Sequence, residues 1–86
     1  MKPFTVVWQS GVQAELASLW LAADDREAVA QAANEIERKL SRDPTRYGLP
    51  IKEGLYSIEA PPLRVLFEIR EADRIVEVAC ARLCSV

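Results

Sequence analysis

Pro61-Pro62-Leu63-Arg64-Val65-Leu66-Phe67-Glu68-Ile69-Arg70, continued by Glu71-Ala72-Asp73-Arg74 and Ile75-Val76-Glu77-Val78, is the stretch that decides the fold. Two apolar, β-branched runs flank a short polar turn, which is the pattern of a β-hairpin. Leu63, Val65, Phe67 and Ile69 alternate onto one face, and that face must be the buried one. Arg64, Leu66, Glu68 and Arg70 then share the opposite face. An arginine held there in mid-strand can fix a phosphate in a defined place; the plainer alternative is a solvated face carrying cross-strand ion pairs.

Eighty-six residues make one domain, 1–86, with room for a single core. Half of the residues are hydrophobic, yet a domain of this size buries only roughly 60–65% of its unfolded surface, so a binding partner adds to its stability. The formal net charge of −2 is not the footprint of a strongly basic nucleic-acid binder. The eleven lysines and arginines can nevertheless cluster on one face. Met1-Lys2-Pro3-Phe4-Thr5 leads into a short apolar run broken by Gln9 and Ser10, which does not read as a signal peptide. No apolar stretch approaches the ~20 residues of a membrane span, so the expected location is cytoplasmic, with no membrane partner. Cys80 and Cys84 stand four apart in the last apparent strand, a span of ~13 Å that is too long for a disulfide, and both are expected as buried reduced thiols. With no histidine in the sequence, a zinc site lacks a ligand set, and His-based acid–base or Ser-His chemistry is excluded. No metal, cofactor or small-molecule ligand is expected.

Phe4-Thr5-Val6-Val7-Trp8 reads as a first strand with Phe4, Val6 and Trp8 on one face. Ser10 and Gln13 have the spacing of a capping box, and Val12, Leu16, Leu19, Trp20 and Ala23 form an apolar helical stripe behind it. Both tryptophans fit core positions. Asp24 and Asp25 offer a second N-cap, after which Val29, Ala32, Ala33, Ile36 and Leu40 line one face of a second helix. Glu35 and Lys39 form an i,i+4 pair on its outer side, and Pro44 ends it. Residues 43–48 read as a loop. Leu49 to Ala60 reads as one strand with an irregularity at Gly54. The expected architecture is α+β with the order β-α-α-β-β-β: a helical hairpin packed on one face of a small, mainly antiparallel sheet whose other face stays open.

This order, with the residues at its joints, resembles the RelE/ParE superfamily of bacterial toxins from type II toxin–antitoxin modules. The resemblance runs through Phe4-Thr5-Val6-Val7-Trp8, the two helices, Arg46-Tyr47-Gly48-Leu49-Pro50, Lys52-Glu53-Gly54-Leu55-Tyr56, Leu63-Arg64-Val65-Leu66-Phe67-Glu68-Ile69 and Asp73-Arg74-Ile75-Val76-Glu77-Val78. It covers nearly the whole chain, and the strand bearing Arg64 is its most specific piece.

The resemblance implies a cognate antitoxin as partner. Its RelE-like branch implies ribosome-dependent cleavage of mRNA without a metal, in which the RNA's own 2′-OH is the nucleophile and the protein positions and stabilises the phosphate. By position, Arg64 would hold the scissile phosphate, Lys52 would contact RNA or assist a proton transfer, and Arg82 would be the basic residue of the last strand. Arg46 would contact the RNA backbone, and Tyr56, sharing alternation with Lys52, would present its hydroxyl on the open face. The sequence departs from the nuclease pattern in Arg82-Leu83-Cys84-Ser85-Val86, which holds neither tyrosine nor histidine, and in Leu49-Pro50, where some branches carry a glutamate. These departures and the acidic balance keep two alternatives open: a ParE-like inhibitor of DNA gyrase, and a member that only binds its antitoxin.

Overall fold

The computed structural model describes residues 3–83 and places the 61–78 hairpin near the centre of a five-stranded sheet. The element order is β1 (Thr5–Trp8), α1 (Ser10–Ala22), α2 (Arg26–Arg42), α3 (Pro44–Tyr47), β2 (Leu49–Lys52), β3 (Leu55–Ala60), β4 (Leu63–Arg70) and β5 (Ile75–Leu83). Across the sheet the strands run β1-β5-β4-β3-β2. Three of the four pairings are antiparallel; β1 lies parallel to β5 because the whole helical layer separates it from the later strands. The α+β architecture expected from the sequence, helices on one face and an open face opposite, is the one found.

Two details of that expectation change. The stretch 49–60 is a hairpin rather than one strand: β2 and β3 pair antiparallel around Gly54, whose φ of +79° is the left-handed conformation glycine accepts without strain. The supposed loop after α2 contains a single helical turn, α3. Its N-terminus is closed by the Asp43 carboxylate, which accepts from the Arg46 amide at 3.2 Å, and Pro44 occupies the first helical position, where a missing N–H is harmless.

Caps follow the same logic. Asp25, not Asp24, caps α2 by accepting from the Ala28 amide at 3.0 Å. The expected Ser10–Gln13 capping box does not form. Ser10 is already helical behind Gln9, and the Gln13 side chain instead donates to the Trp8 carbonyl at 2.9 Å. The Glu35–Lys39 pair forms at 3.5 Å on the partly exposed side of α2; at such exposure it contributes little.

The core lies between the helices and one sheet face. Val12 of α1, Val29, Ala32, Ile36 and Leu40 of α2, and Ile58, Ala60, Leu63, Val65, Phe67, Val76, Val78 and Ala81 of the sheet make one cluster. Trp8 packs against it and donates from its indole to Glu37 at 3.3 Å. Trp20 does not join the core as expected: it is 39% exposed, with the Arg26 guanidinium 5.0 Å from its ring. Leu16, Leu19 and Ala23 pack against the core, whereas Trp20, one residue round the helix from Leu19, lines the groove between α1 and α2.

Gly48 is fixed by closeness rather than by backbone angle. A Cβ there would lie 2.5 Å from Phe67 Cζ and 2.8 Å from the Pro44 carbonyl. Because the carbonyl is backbone and cannot swing away, Gly48→Ala is expected to destabilise by about 1–3 kcal/mol, as overpacked sites do. A thermal melt of that variant checks it; an unchanged midpoint would mean that the approach of α3 to the sheet is looser than described.

Candidate functional site

Alternation along β4 sends Leu63, Val65 and Phe67 into the core and Arg64 outward, as the sequence requires. Arg82 needs more explanation. Val76 and Val78 are fully buried, so strict alternation along β5 would bury position 82 as well. The β4–β5 register slips by one residue instead: Leu66 pairs with Cys80, Phe67 pairs with Val78, and Ala79 is left over. This β-bulge changes the parity of the strand. Ala81 becomes the buried residue, and Arg82 comes out directly opposite Arg64.

The two arginines, with Ile51, Leu66 and Cys80, line a depression of about 270 Å³ on the open face. Its floor is apolar and its rim carries two guanidinium groups. Among the described residues, neither Arg64 nor Arg82 forms an ion pair. Like charges directly opposite on neighbouring strands destabilise a sheet. An anion seated between them removes that repulsion and accepts two parallel hydrogen bonds from each planar fork.

Cys80 therefore does not fit the expected role of buried core thiol. It is half-buried on the open face, because the bulge turns it there with Arg82. Cys84 lies outside the described residues.

Of the other residues singled out in the sequence, Lys52 is exposed at the end of β2 and lines a separate depression with Glu53, Leu55 and Glu68. Its ladder partner is Leu55, which pairs in turn with Glu68, four residues along β4 from Arg64, and Lys52 does not line the arginine depression that its neighbour Ile51 borders. Arg46 is exposed on α3, its guanidinium 5.8 Å from the Tyr47 ring, which Lys39 approaches at 5.6 Å. Tyr56 is not on the open face. It pairs with Phe67, and the two rings stack at 5.7 Å with an interplanar angle of 18° on the core side. The expectation failed because it counted one continuous strand from Lys52, whereas the Gly54 turn and a bulge between Pro50 and Lys52 separate the two positions.

A residue not singled out in the sequence completes the row. Glu59 is exposed on β3 and pairs directly with Arg64, so Glu59, Arg64 and Arg82 stand side by side on three adjacent strands. Counting back from the Pro61-Pro62 turn gives this pairing from the sequence alone, since Ala60 must face Leu63 and Glu59 must face Arg64.

A second surface feature lies on the helical side. Leu16, Ala17, Trp20, Val29, Ala30 and Ala33 form most of a groove of about 430 Å³ between α1 and α2. Its lining is almost wholly apolar, and Leu21 is exposed nearby at 62%.

The helices on one face of a five-stranded mixed sheet, with the other face open, define an α+β domain. No protein-family model and no curated protein matches the chain. Solved structures do. The chain is similar to one in the RelBE2 toxin–antitoxin complex of Mycobacterium tuberculosis, with a TM-score of 0.80 over 96% of this chain and 93% of that one, at 23% identity. The archaeal RelE–RelB complex of Pyrococcus horikoshii aligns with a TM-score of 0.69, covering 94% of each chain at 16% identity. Free Escherichia coli RelE toxin, as a variant with two arginines replaced by alanine, aligns at 0.67 over 94% of this chain and 82% of its own, at 15% identity. The resemblance read from the sequence is thus borne out as fold.

Proposed function

We propose that this chain is the toxin of a type II toxin–antitoxin module and that it arrests translation by cutting mRNA on the ribosome. The observation that carries the reading is the Arg64–Arg82 pair, brought face to face by a bulge and left without an ion pair among the described residues. Holding two like charges together costs stability, and a phosphodiester is the ligand that would repay it. The pair seats the scissile phosphate. The RNA 2′-OH attacks the phosphorus, and the guanidinium groups neutralise the charge that builds on the non-bridging oxygens. Lys52 and Arg46, both outside the depression, serve as contacts to the RNA backbone. No described helix is long and apolar enough to cross a membrane.

The partner is an antitoxin whose apolar segment covers the α1–α2 groove. Two of the similar structures are toxin–antitoxin complexes, and the groove between α1 and α2 is lined almost wholly by apolar side chains. Ala17→Arg places a charge in that groove at an exposed position. It is expected to leave the melting temperature unchanged and to weaken antitoxin binding at least about tenfold, because an unpaired charge is desolvated at the interface. Calorimetry with the antitoxin that restores growth on co-expression measures this. Unaltered affinity would move the interface off the groove.

A formal net charge of −2 favours the second reading, a ParE-like gyrase inhibitor with no nuclease site. Cell-free translation and gyrase supercoiling assays on one preparation separate the two.

A further inference from the structure

We infer that the C-terminal part of α2, together with α3 and the end of β2, is a docking surface for the phosphate backbone of folded ribosomal RNA. The inference rests on the ribosome-directed reading above. Five of the eleven lysines and arginines, Arg38, Lys39, Arg42, Arg46 and Lys52, fall within fifteen residues whose one acid is Asp43. Those fifteen residues carry a formal +4 in a chain of net charge −2, which leaves −6 for the rest. A small net negative charge thus conceals one basic end.

The fold gathers these side chains. Arg42 follows Lys39 by three residues and Arg38 by four, so the three are neighbours on α2. The next helix brings Arg46 to the same place. Its guanidinium lies 5.8 Å from the Tyr47 ring, and Lys39 Nζ lies 5.6 Å from that ring. Arg38, Arg42, Arg46 and Lys52 are exposed, and Tyr47 stays 37% open beside two cations. Lys39 pairs with Glu35, whereas the other four cations enter no ion pair among the described residues. The negative end of α2 accounts for Lys39 and Arg42 in its last turn, but not for Arg38 or Lys52. Ile51 of β2 borders the Arg64–Arg82 depression, so the basic surface adjoins it along that strand. A folded RNA presents phosphates in a regular row, and each cation that meets one releases a counterion and strengthens binding. The open Tyr47 ring offers a ribose or an unpaired base a flat face, which favours RNA over an acidic protein segment.

The test is co-sedimentation of the purified chain with ribosomes across a salt series, with mRNA cleavage and antitoxin binding followed on the same proteins. Arg42→Ala combined with Arg46→Ala removes two phosphate contacts. The slope of log affinity against log salt is expected to become shallower by about two, and a higher protein concentration should restore cleavage. The pair Arg42→Lys and Arg46→Lys keeps both charges and should keep the slope. Arg26→Ala removes a cation outside the surface and should leave the slope unaltered. A wild-type slope in the double alanine variant overturns the inference, as does a lysine pair no better than the alanine pair, or an equal loss on Arg26→Ala. Wild-type ribosome binding with weakened antitoxin binding also overturns it, and gives the surface to an acidic segment of that partner. If the wild-type chain binds ribosomes through these residues but cuts no mRNA, the cleavage reading fails and the docking surface stands. Cleavage by the wild type with no dependence on these residues removes the docking surface alone.

Discussion

Arg64→Ala is expected to lower ribosome-dependent mRNA cleavage by about 10²–10³-fold, the scale of losing one preorganised electrostatic donor. The protein should remain as stable as wild type. Arg64 is exposed, its β4 neighbours Leu63 and Val65 keep the register, and it forms no ion pair among the described residues. Truncation of such a side chain stays within about ±0.5 kcal/mol, and here it also relieves a like-charge contact with Arg82. Arg64→Lys should recover only a fraction of the rate, because an ammonium is a point charge and cannot offer the planar two-pronged fork. Growth arrest in cells and primer-extension maps of mRNA cuts for the three proteins, with melting temperatures alongside, read the outcome. Equal cleavage by all three at equal stability would take the phosphate off Arg64.

Phe67→Ala should have the largest effect on the fold. The ring is fully buried in β4, stacks on Tyr56 and fills the space that Gly48 leaves open. It joins β3, β4 and α3 at one point, so its loss opens a cavity that a rigid sheet cannot collapse into. The expected cost is about 3–5 kcal/mol. At about 4–8 °C per kcal/mol for a domain of this size, the midpoint should fall by at least about 12 °C. Circular dichroism melts of the wild type and Phe67→Ala measure it. A drop of under about 4 °C would mean that the core is held elsewhere, in the α2 seam of Val29, Ile36 and Leu40.

These two residues also show what the sequence disclosed. The alternation in Leu63-Arg64-Val65-Leu66-Phe67 determined both at once: Phe67 had to be buried and Arg64 had to face out, and both are so. The α2 stripe was equally clear, because Val29, Ala32, Ile36 and Leu40 recur at helical spacing and all are buried. Short-range irregularities were where alternation failed. Gly54 is a turn that splits the stretch 49–60, and missing it sent Tyr56 to the wrong face. Ala79 is an unpaired residue that changes parity within β5. Nothing in Val76-Glu77-Val78-Ala79-Cys80-Ala81-Arg82 marks it, because alanine suits either face. Arg82 thus reached the candidate site through resemblance rather than pattern, and Cys80 was placed in the core for the same lack of a signal. Glu59 was legible all along from the Pro61-Pro62 turn, but it needs a pairing count rather than a motif. Trp20 shares a broad apolar stripe with Leu16, Leu19 and Ala23, but it lies at the stripe's edge, where the spacing does not tell core from groove, and it lines the α1–α2 groove.

The central claim is that the open sheet face acts on RNA phosphate. The most direct measurement is primer extension on a defined mRNA in a cell-free translation reaction given the purified wild-type chain, with gyrase supercoiling assayed on the same preparation. The account predicts new 5′ ends within ribosome-bound codons, absent when ribosomes are withheld, and unaltered supercoiling. Intact mRNA together with inhibited gyrase would contradict it and assign the fold to the other target.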